Sequence, residues 1–323
     1  MNRRKLGASG LEIAPLIFGG NVFDWTVGEA ECFRLLDAFL SAGFNAIDTA
    51  DAYSRWVPGH TGGESEAMIG NWLKSRGNRA NVIVATKVGM DLGPGKSGLS
   101  RKRILSAVED SLRRLQTDYI DLYQSHKDDA ETPLEETLGA YADLIRQGKV
   151  RAIGASNYNA EHLSAALDVS KKMGLPRYES LQPNYSLAER QEYESSLEPV
   201  CQKHGLAVIN YYPLASGFLS GKYRSEADLQ KSQRGRGVQK YLNDRGFKIL
   251  AAMDQVAKRH SATLAQIAIA WLLARPSITA PIASATNLDQ LKELMQAPNV
   301  QLDASSMQLL NQASDQATPA SAS

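Results

Sequence analysis

Asp48-Thr49-Ala50-Asp51-Ala52-Tyr53 follows the apolar run Phe44-Asn45-Ala46-Ile47. The run reads as a buried strand, so a carboxylate and a phenol stand just past a strand's carboxyl end. Two further strand ends carry chemistry. Val82-Ile83-Val84-Ala85-Thr86 ends on Lys87, and Tyr119-Ile120-Asp121-Leu122-Tyr123 runs through Gln124 and Ser125 to His126. Asp48, Tyr53, Lys87 and His126 therefore occupy three successive strand ends, a set fit for proton transfer. In a parallel α/β barrel such ends open onto one face, where the chemistry is done.

Outward from this stretch, strand-like runs recur at 14–18, 44–47, 82–86, 119–124, 152–155, 180–182, 207–211 and 279–282, with helical patterns between them. Eight strand-plus-helix units predict a (β/α)8 TIM barrel. Residues 5–13, with Gly7 and Gly10, read as an N-terminal β-hairpin outside the repeat, placed to plug the barrel's bottom. The alternative is a doubly wound open sheet, which needs G-x-G-x-x-G after its first strand. That position reads Phe18-Gly19-Gly20-Asn21-Val22-Phe23, so the fingerprint is absent. Helix ends are marked by Thr132-Pro133-Leu134-Glu135 and by Thr263 with Gln266, both in capping-box spacing, by Ser100, and by Gly148 and Gly174 as stops.

No linker divides the chain, so residues 1–317 read as one domain. Thr318-Pro319-Ala320-Ser321-Ala322-Ser323 reads as a disordered tail. With 36 Lys and Arg against 35 Asp and Glu, no electrostatic footprint for nucleic acid or an anionic membrane appears. Cys32 and Cys201 show no metal spacing and read as reduced thiols. His60 has no second ligand at workable spacing, so no metal is expected. The basic N-terminus precedes no apolar core, and no apolar run approaches the ~18 residues of a membrane span, so a cytoplasmic protein is expected.

Taken together, the motifs resemble the aldo-keto reductase family over nearly the whole chain, in particular its branch that includes potassium-channel β-subunits. Asp48–Tyr53 looks like the family's signature on the second barrel strand, and Thr86-Lys87 and His126 look like its other catalytic positions. Gly154-Ala155-Ser156-Asn157 and Gln182-Pro183-Asn184-Tyr185 look like cofactor motifs. Tyr211-Tyr212-Pro213-Leu214, with Ser216, Gly217, Leu219 and Gly221-Lys222-Tyr223, looks like its pyrophosphate loop. The resemblance implies an NADPH-dependent reductase of aldehydes or ketones, with NADH the alternative cofactor. It places Ser156, Asn157 and Gln182 on the nicotinamide amide and Tyr211 on its ring. Pro213, Leu214, Ser216, Gly217, Leu219, Gly221 and Lys222 fall at the pyrophosphate, with Arg234 or Arg236 closing over it. Gly20, Asn21 and Asp48 join the cofactor set. Ser284, Thr286, Gln290 and Glu293 form the adenosine end, and Gln290 has a second reading as a local partner of the helix that starts near Asn287. The family usually has glycine at Ser284, a basic residue at Asn287 and asparagine at Leu294.

Carbonyl reduction needs a hydride, which no side chain supplies, and a proton for the developing alkoxide. Tyr53 is the expected general acid, with Lys87 drawing its pKa down from about 10. Asp48 holds Lys87, and His126 orients the carbonyl. The loop 54–63, which hangs from Tyr53, predicts a substrate pocket lined by Trp56, with Phe23, Trp25, Tyr53 and His126. The resemblance also leaves a second function open, a cofactor-binding regulatory subunit on the same fold; channel β-subunits depart from histidine at the position of His126.

Overall fold

Inward and outward faces alternate along each strand, and that two-residue period builds the barrel. The computed structural model describes residues 2–233 and 235–315. The expected tail at 318–323 lies outside them. The strands of the barrel are β3 (Ile17–Gly19), β4 (Ala46–Asp48), β5 (Ile83–Val88), β6 (Ile120–Ser125), β7 (Val150–Ser156), β8 (Tyr178–Gln182), β9 (Ala207–Val208) and β10 (Ile282–Ala283). They pair in parallel in the order β10-β3-β4-β5-β6-β7-β8-β9. The seam between β9 and β10 is joined by Thr279 N–H to the Val208 carbonyl at 2.8 Å and Ile282 N–H to the Asn210 carbonyl at 2.9 Å. All eight runs expected from the sequence are present. The seventh is regular only over Ala207–Val208, because Pro183 on the neighbouring chain segment has no N–H to give the ladder; parallel pairing resumes beyond it, with Tyr211 N–H on the Pro183 carbonyl at 2.9 Å and a bridge between Asn184 and Tyr211.

Ile17, Ala46, Ala85, Leu122 and Ala152 pack inside the barrel, while their neighbours Phe18, Ile47, Val84, Tyr123 and Ile153 pack outward in the helix-covered core. The hairpin pairs β1 (Arg4–Lys5) with β2 (Glu12–Ile13). Its Leu6, Leu11 and Ile13 join the same interior cluster, so it closes the end opposite the strands' carboxyl ends.

The helices that bear on the site are α1 (Glu29–Ser41), α2 (Glu64–Arg76), α3 (Arg101–Leu115), α4 (Leu134–Arg146), α5 (Ala160–Met173), α6 (Glu198–His204), α7 (Asp244–His260), α8 (Leu264–Leu273) and α9 (Leu288–Gln296). Ser100 caps α3 through the Arg103 N–H, and Thr263 and Gln266 form a reciprocal capping box on α8. Gly174 takes a left-handed C-cap at φ 65°. The box expected at Thr132 does not form. Thr132 Oγ1 instead donates to Asp129 Oδ2 at 2.7 Å, and α4 starts one residue later, with Pro133 as an uncapped N-cap. Cys32 and Cys201 are buried free thiols. No helix among the described residues is long and apolar enough to cross a membrane.

Helices α2 and α3 cross at Gly70, where an added Cβ would overlap the Arg114 carbonyl oxygen. Only a hydrogen fits there. Gly70→Ala is therefore expected to lower unfolding free energy by about 1–3 kcal/mol in a denaturant titration. An unchanged midpoint would show that the crossing can relax.

Candidate active site

Three strand ends deliver the ionisable groups. Asp48 ends β4, and the turn after it carries Tyr53; Lys87 lies near the end of β5; His126 follows β6 and bonds the Val88 carbonyl through its backbone N–H at 2.8 Å. Lys87 is fully buried and Asp48 is 1% exposed. Lys87 Nζ donates to Asp48 Oδ2 at 2.7 Å, to the Thr49 carbonyl at 2.8 Å and to Tyr53 Oη at 2.8 Å. Tyr53 Oη donates in turn to Asp48 Oδ2, at a longer 3.2 Å. The other Asp48 oxygen accepts from Gln182 Nε2 at 2.8 Å and from Gln124 Nε2 at 3.3 Å. The His126 ring meets the Tyr53 ring edge-on with centroids 5.8 Å apart.

The electrostatics correct one expectation. Burial first, and then the Asp48 carboxylate, push the Tyr53 phenol well above its ordinary value rather than below it. Asp48 cancels the pull of the ammonium, and the phenol has left water. Burial lowers the Lys87 pKa, against the attraction of Asp48. Tyr53 thus rests as a neutral phenol, its oxygen facing an ammonium and its proton held by a long bond.

A cleft of about 990 Å³ opens over this cluster. Its wall runs from Tyr53, Trp56, His126 and Asp48 past Asn21, Ser156, Asn157, Gln182 and Tyr211. It continues along Pro213, Leu214, Ser216, Gly217 and Lys222 to Ser284, Thr286, Gln290 and Glu293. Asn157 links its neighbours: Nδ2 donates to the His126 carbonyl at 2.8 Å, and Oδ1 accepts from Tyr211 Oη at 2.8 Å. Ser156 Oγ donates to the Gln182 carbonyl at 2.9 Å. The loop after Tyr211 is wound tightly, with left-handed φ at Tyr212 (55°), Ala215 (47°), Ser216 (59°) and Gly217 (98°). Three non-glycine residues in that region mark a shape held by its surroundings.

Several expected contacts are not brought to the cleft. Phe23 is fully buried and stacks on Phe18 at 5.3 Å. Trp25 lies behind the wall, edge-on to Trp56 at 5.6 Å. Gly20 packs beneath the site, where a Cβ would stand 3.1 Å from the Asp48 carbonyl oxygen. Leu219 belongs to the core, and Gly221 caps a short turn at φ 79°. Arg234 lies outside the described residues. Gln290 keeps its local role: its Oε1 accepts from Thr286 N–H and Oγ1, both at 3.0 Å, while Asn287 caps α9. Ser284 Oγ donates to Asn21 Oδ1 at 2.6 Å. Sequence reasoning missed Gln124, Arg55 and Lys231. Gln124 carried a signal, since it stands two residues before His126 on an alternating strand.

His126 is neutral. Burial, and then the Lys87 charge, push its imidazole well below 6.5, and Nδ1 is buried without a hydrogen-bond partner among the described residues. In the unfolded chain the ring takes a proton near pH 6.5, whereas the folded chain resists it, so this site loses stability as pH falls below that value. His126→Gln removes the penalty. Melting temperatures followed from about pH 7.5 to about pH 5 should therefore fall less steeply for the variant; equal slopes would contradict the assignment.

Comparison with known proteins gives the family. Residues 15–315 match the family model described as the Aldo/keto reductase family. The chain is 35% identical to the uncharacterised oxidoreductase YrpG of Bacillus subtilis, over 95% of this chain and 94% of that protein. It is 33% identical to a rice protein named for a voltage-gated potassium channel β subunit, over 93% and 92% of the two chains. It is 31% identical to the L-glyceraldehyde 3-phosphate reductase of Escherichia coli, over 93% and 88%. With a match that spans the barrel and these relatives along nearly their full lengths, the chain belongs to the aldo/keto reductase family.

Proposed function

We propose that this protein reduces an aldehyde or ketone to an alcohol, with NADPH as the hydride donor and Tyr53 as the proton donor. The observation that carries the reading is the Tyr53 oxygen, 2.8 Å from a fully buried Lys87 ammonium on the wall of the large cleft. Family membership supports NAD(P)H-dependent carbonyl reduction in general; the residue roles and the choice of NADPH are our inference.

The cleft residues fit a nicotinamide dinucleotide. Lys222 lines the cleft, its ammonium 5.1 Å from the Tyr223 ring centroid and with no carboxylate partner among the described residues, so it is available to a phosphate. It lies against Gly217, whose position would place a Cβ 3.3 Å from Lys222 Cε. Ser156, Asn157, Gln182 and Tyr211 would hold the nicotinamide, and Ser284, Thr286 and Glu293 the adenosine end. When bound, the nicotinamide supplies the hydride.

The remaining work falls to the chain. A substrate oxygen beside Tyr53 replaces the long bond to Asp48 as acceptor of the phenolic proton. As negative charge develops on that oxygen, the proton passes to it from Tyr53 Oη, and Lys87, already 2.8 Å away, stabilises the phenolate left behind. Asp48 keeps Lys87 in place and charged. His126, being neutral, offers an N–H to the carbonyl and does not compete as an acid. Trp56, about half exposed at 47%, gives the entrance an apolar wall. A small-molecule carbonyl compound is thus the proposed partner.

Steady-state kinetics with an aldehyde and ketone panel test the roles separately. Tyr53→Phe should lower kcat at least ~100-fold while leaving NADPH binding intact. Lys222→Met should weaken NADPH binding about tenfold or more with kcat largely retained. Tight NADPH binding with no turnover on any carbonyl would favour instead a cofactor-binding regulatory subunit.

A further inference from the structure

The turn that carries Tyr53 holds a second carboxylate that the proton route does not use. Asp51 is 1% exposed, and Arg103, in the first turn of α3, is 8% exposed. Arg103 Nη2 donates to Asp51 Oδ2 at 2.6 Å. The Asp51 backbone N–H donates to the Lys87 carbonyl at 3.1 Å. One residue thus ties the Tyr53 turn to the strand of Lys87 and to α3. A parallel pair lies beside it. Arg114 Nε donates to Glu66 Oε2 at 2.7 Å, and Glu66 Oε1 accepts from Thr86 Oγ1 at 2.6 Å, next in sequence to Lys87. Arg103 and Arg114 stand about three turns apart, so one side of one helix supplies both cations.

Stability does not explain the Asp51 pair. Asp51 Oδ1 and Arg103 Nε are buried without hydrogen-bond partners among the described residues. A buried ion pair with unsatisfied atoms is a poor source of stability, because desolvation outweighs what the contact returns. Burial, and then repulsion from Glu66, push the Asp51 carboxyl up to about 7 against the attraction of Arg103 and Arg114. Lys87 on β5, Tyr123 on β6 and Tyr141 on α4 are the other titratable groups that feel it. A costly pair kept in the turn that aims the acid points to geometry rather than to folding energy.

We infer that Asp51 and Arg103 form a positioning strut that keeps Tyr53 Oη in reach of Lys87 Nζ. The inference rests on the carbonyl-reductase reading given above. Neither residue lines the cleft, so the strut acts through Tyr53 and not through cofactor contacts.

The test is the double variant Asp51→Asn/Arg103→Met, which removes both charges, beside Arg103→Lys, which keeps the charge and loses the planar fork. kcat, NADPH dissociation constant and melting temperature are measured. The ring resonances of 13C-labelled tyrosine are also recorded, with Tyr53 assigned by its absence in Tyr53→Phe. The double variant should lose kcat roughly 10- to 100-fold, as a small misplacement of a reacting group does. NADPH binding should hold, the melting temperature should not fall, and the Tyr53 resonance should move. Arg103→Lys should recover part of the lost kcat, and if the double variant does not fold, a shifted Tyr53 resonance in Arg103→Lys carries the same meaning. Wild-type kcat with an unmoved resonance overturns the strut. So does a kcat loss that comes with a lowered melting temperature while the resonance stays in place. A wild-type protein without turnover would sink the reductase reading alone, and the Tyr53 resonance would then decide the strut by itself.

Discussion

A lysine ammonium with no exposure to water, at the end of a barrel strand, is the constraint on which the rest of this structure turns. Such a charge is costly unless its donors are paired and an anion stands beside it. All three Lys87 donors are used, on Asp48, the Thr49 carbonyl and Tyr53. Those partners lie within six residues of one another, which requires the turn after β4 to fold back over the end of β5. The turn is therefore shaped by the need to satisfy Lys87, and Tyr53 takes its place as the third partner.

The same constraint organises the second layer. Asp48 can serve Lys87 with one oxygen because Gln182 and Gln124 occupy the other. This ties β4, β6 and β8 together across the barrel mouth. Gln182 is then fixed beside Ser156, Ser156 beside Asn157, and Asn157 beside both His126 and Tyr211. A chain of hydrogen bonds thus runs from the buried charge to the cleft wall. The phenol ends up neutral and desolvated, a state that holds its proton until negative charge appears on an oxygen next to it.

Much of this was legible in the sequence, because it rests on order and period. Eight strand-like runs with helices between them announced the barrel, and Asp48, Tyr53, Lys87 and His126 stood where three strands end. Chemistry at strand ends survives small errors of register. What was not legible depends on which way a side chain turns inside a loop. Phe23 and Leu219 lie in segments that border the cleft, yet both are apolar and turn into the core. Gly20 and Gly221 have no side chain and serve close packing and a turn. The pairing of Asp51 was not legible either, since its partner Arg103 is 52 residues away. The direction of the Tyr53 shift was misjudged for a related reason. Sequence reasoning weighed the cation beside the phenol and left out both the burial and the carboxylate that neutralises the cation.

The proposed chemistry turns on whether the buried pair delivers a proton to a carbonyl oxygen. The most direct measurement is stoichiometry: the purified protein is mixed with NADPH and an aldehyde, and cofactor consumed is compared with alcohol formed. One alcohol should form for each NADPH oxidised, at a rate that saturates with aldehyde. NADPH that binds in the cleft and stays reduced while every aldehyde and ketone offered is recovered unchanged would contradict that chemistry.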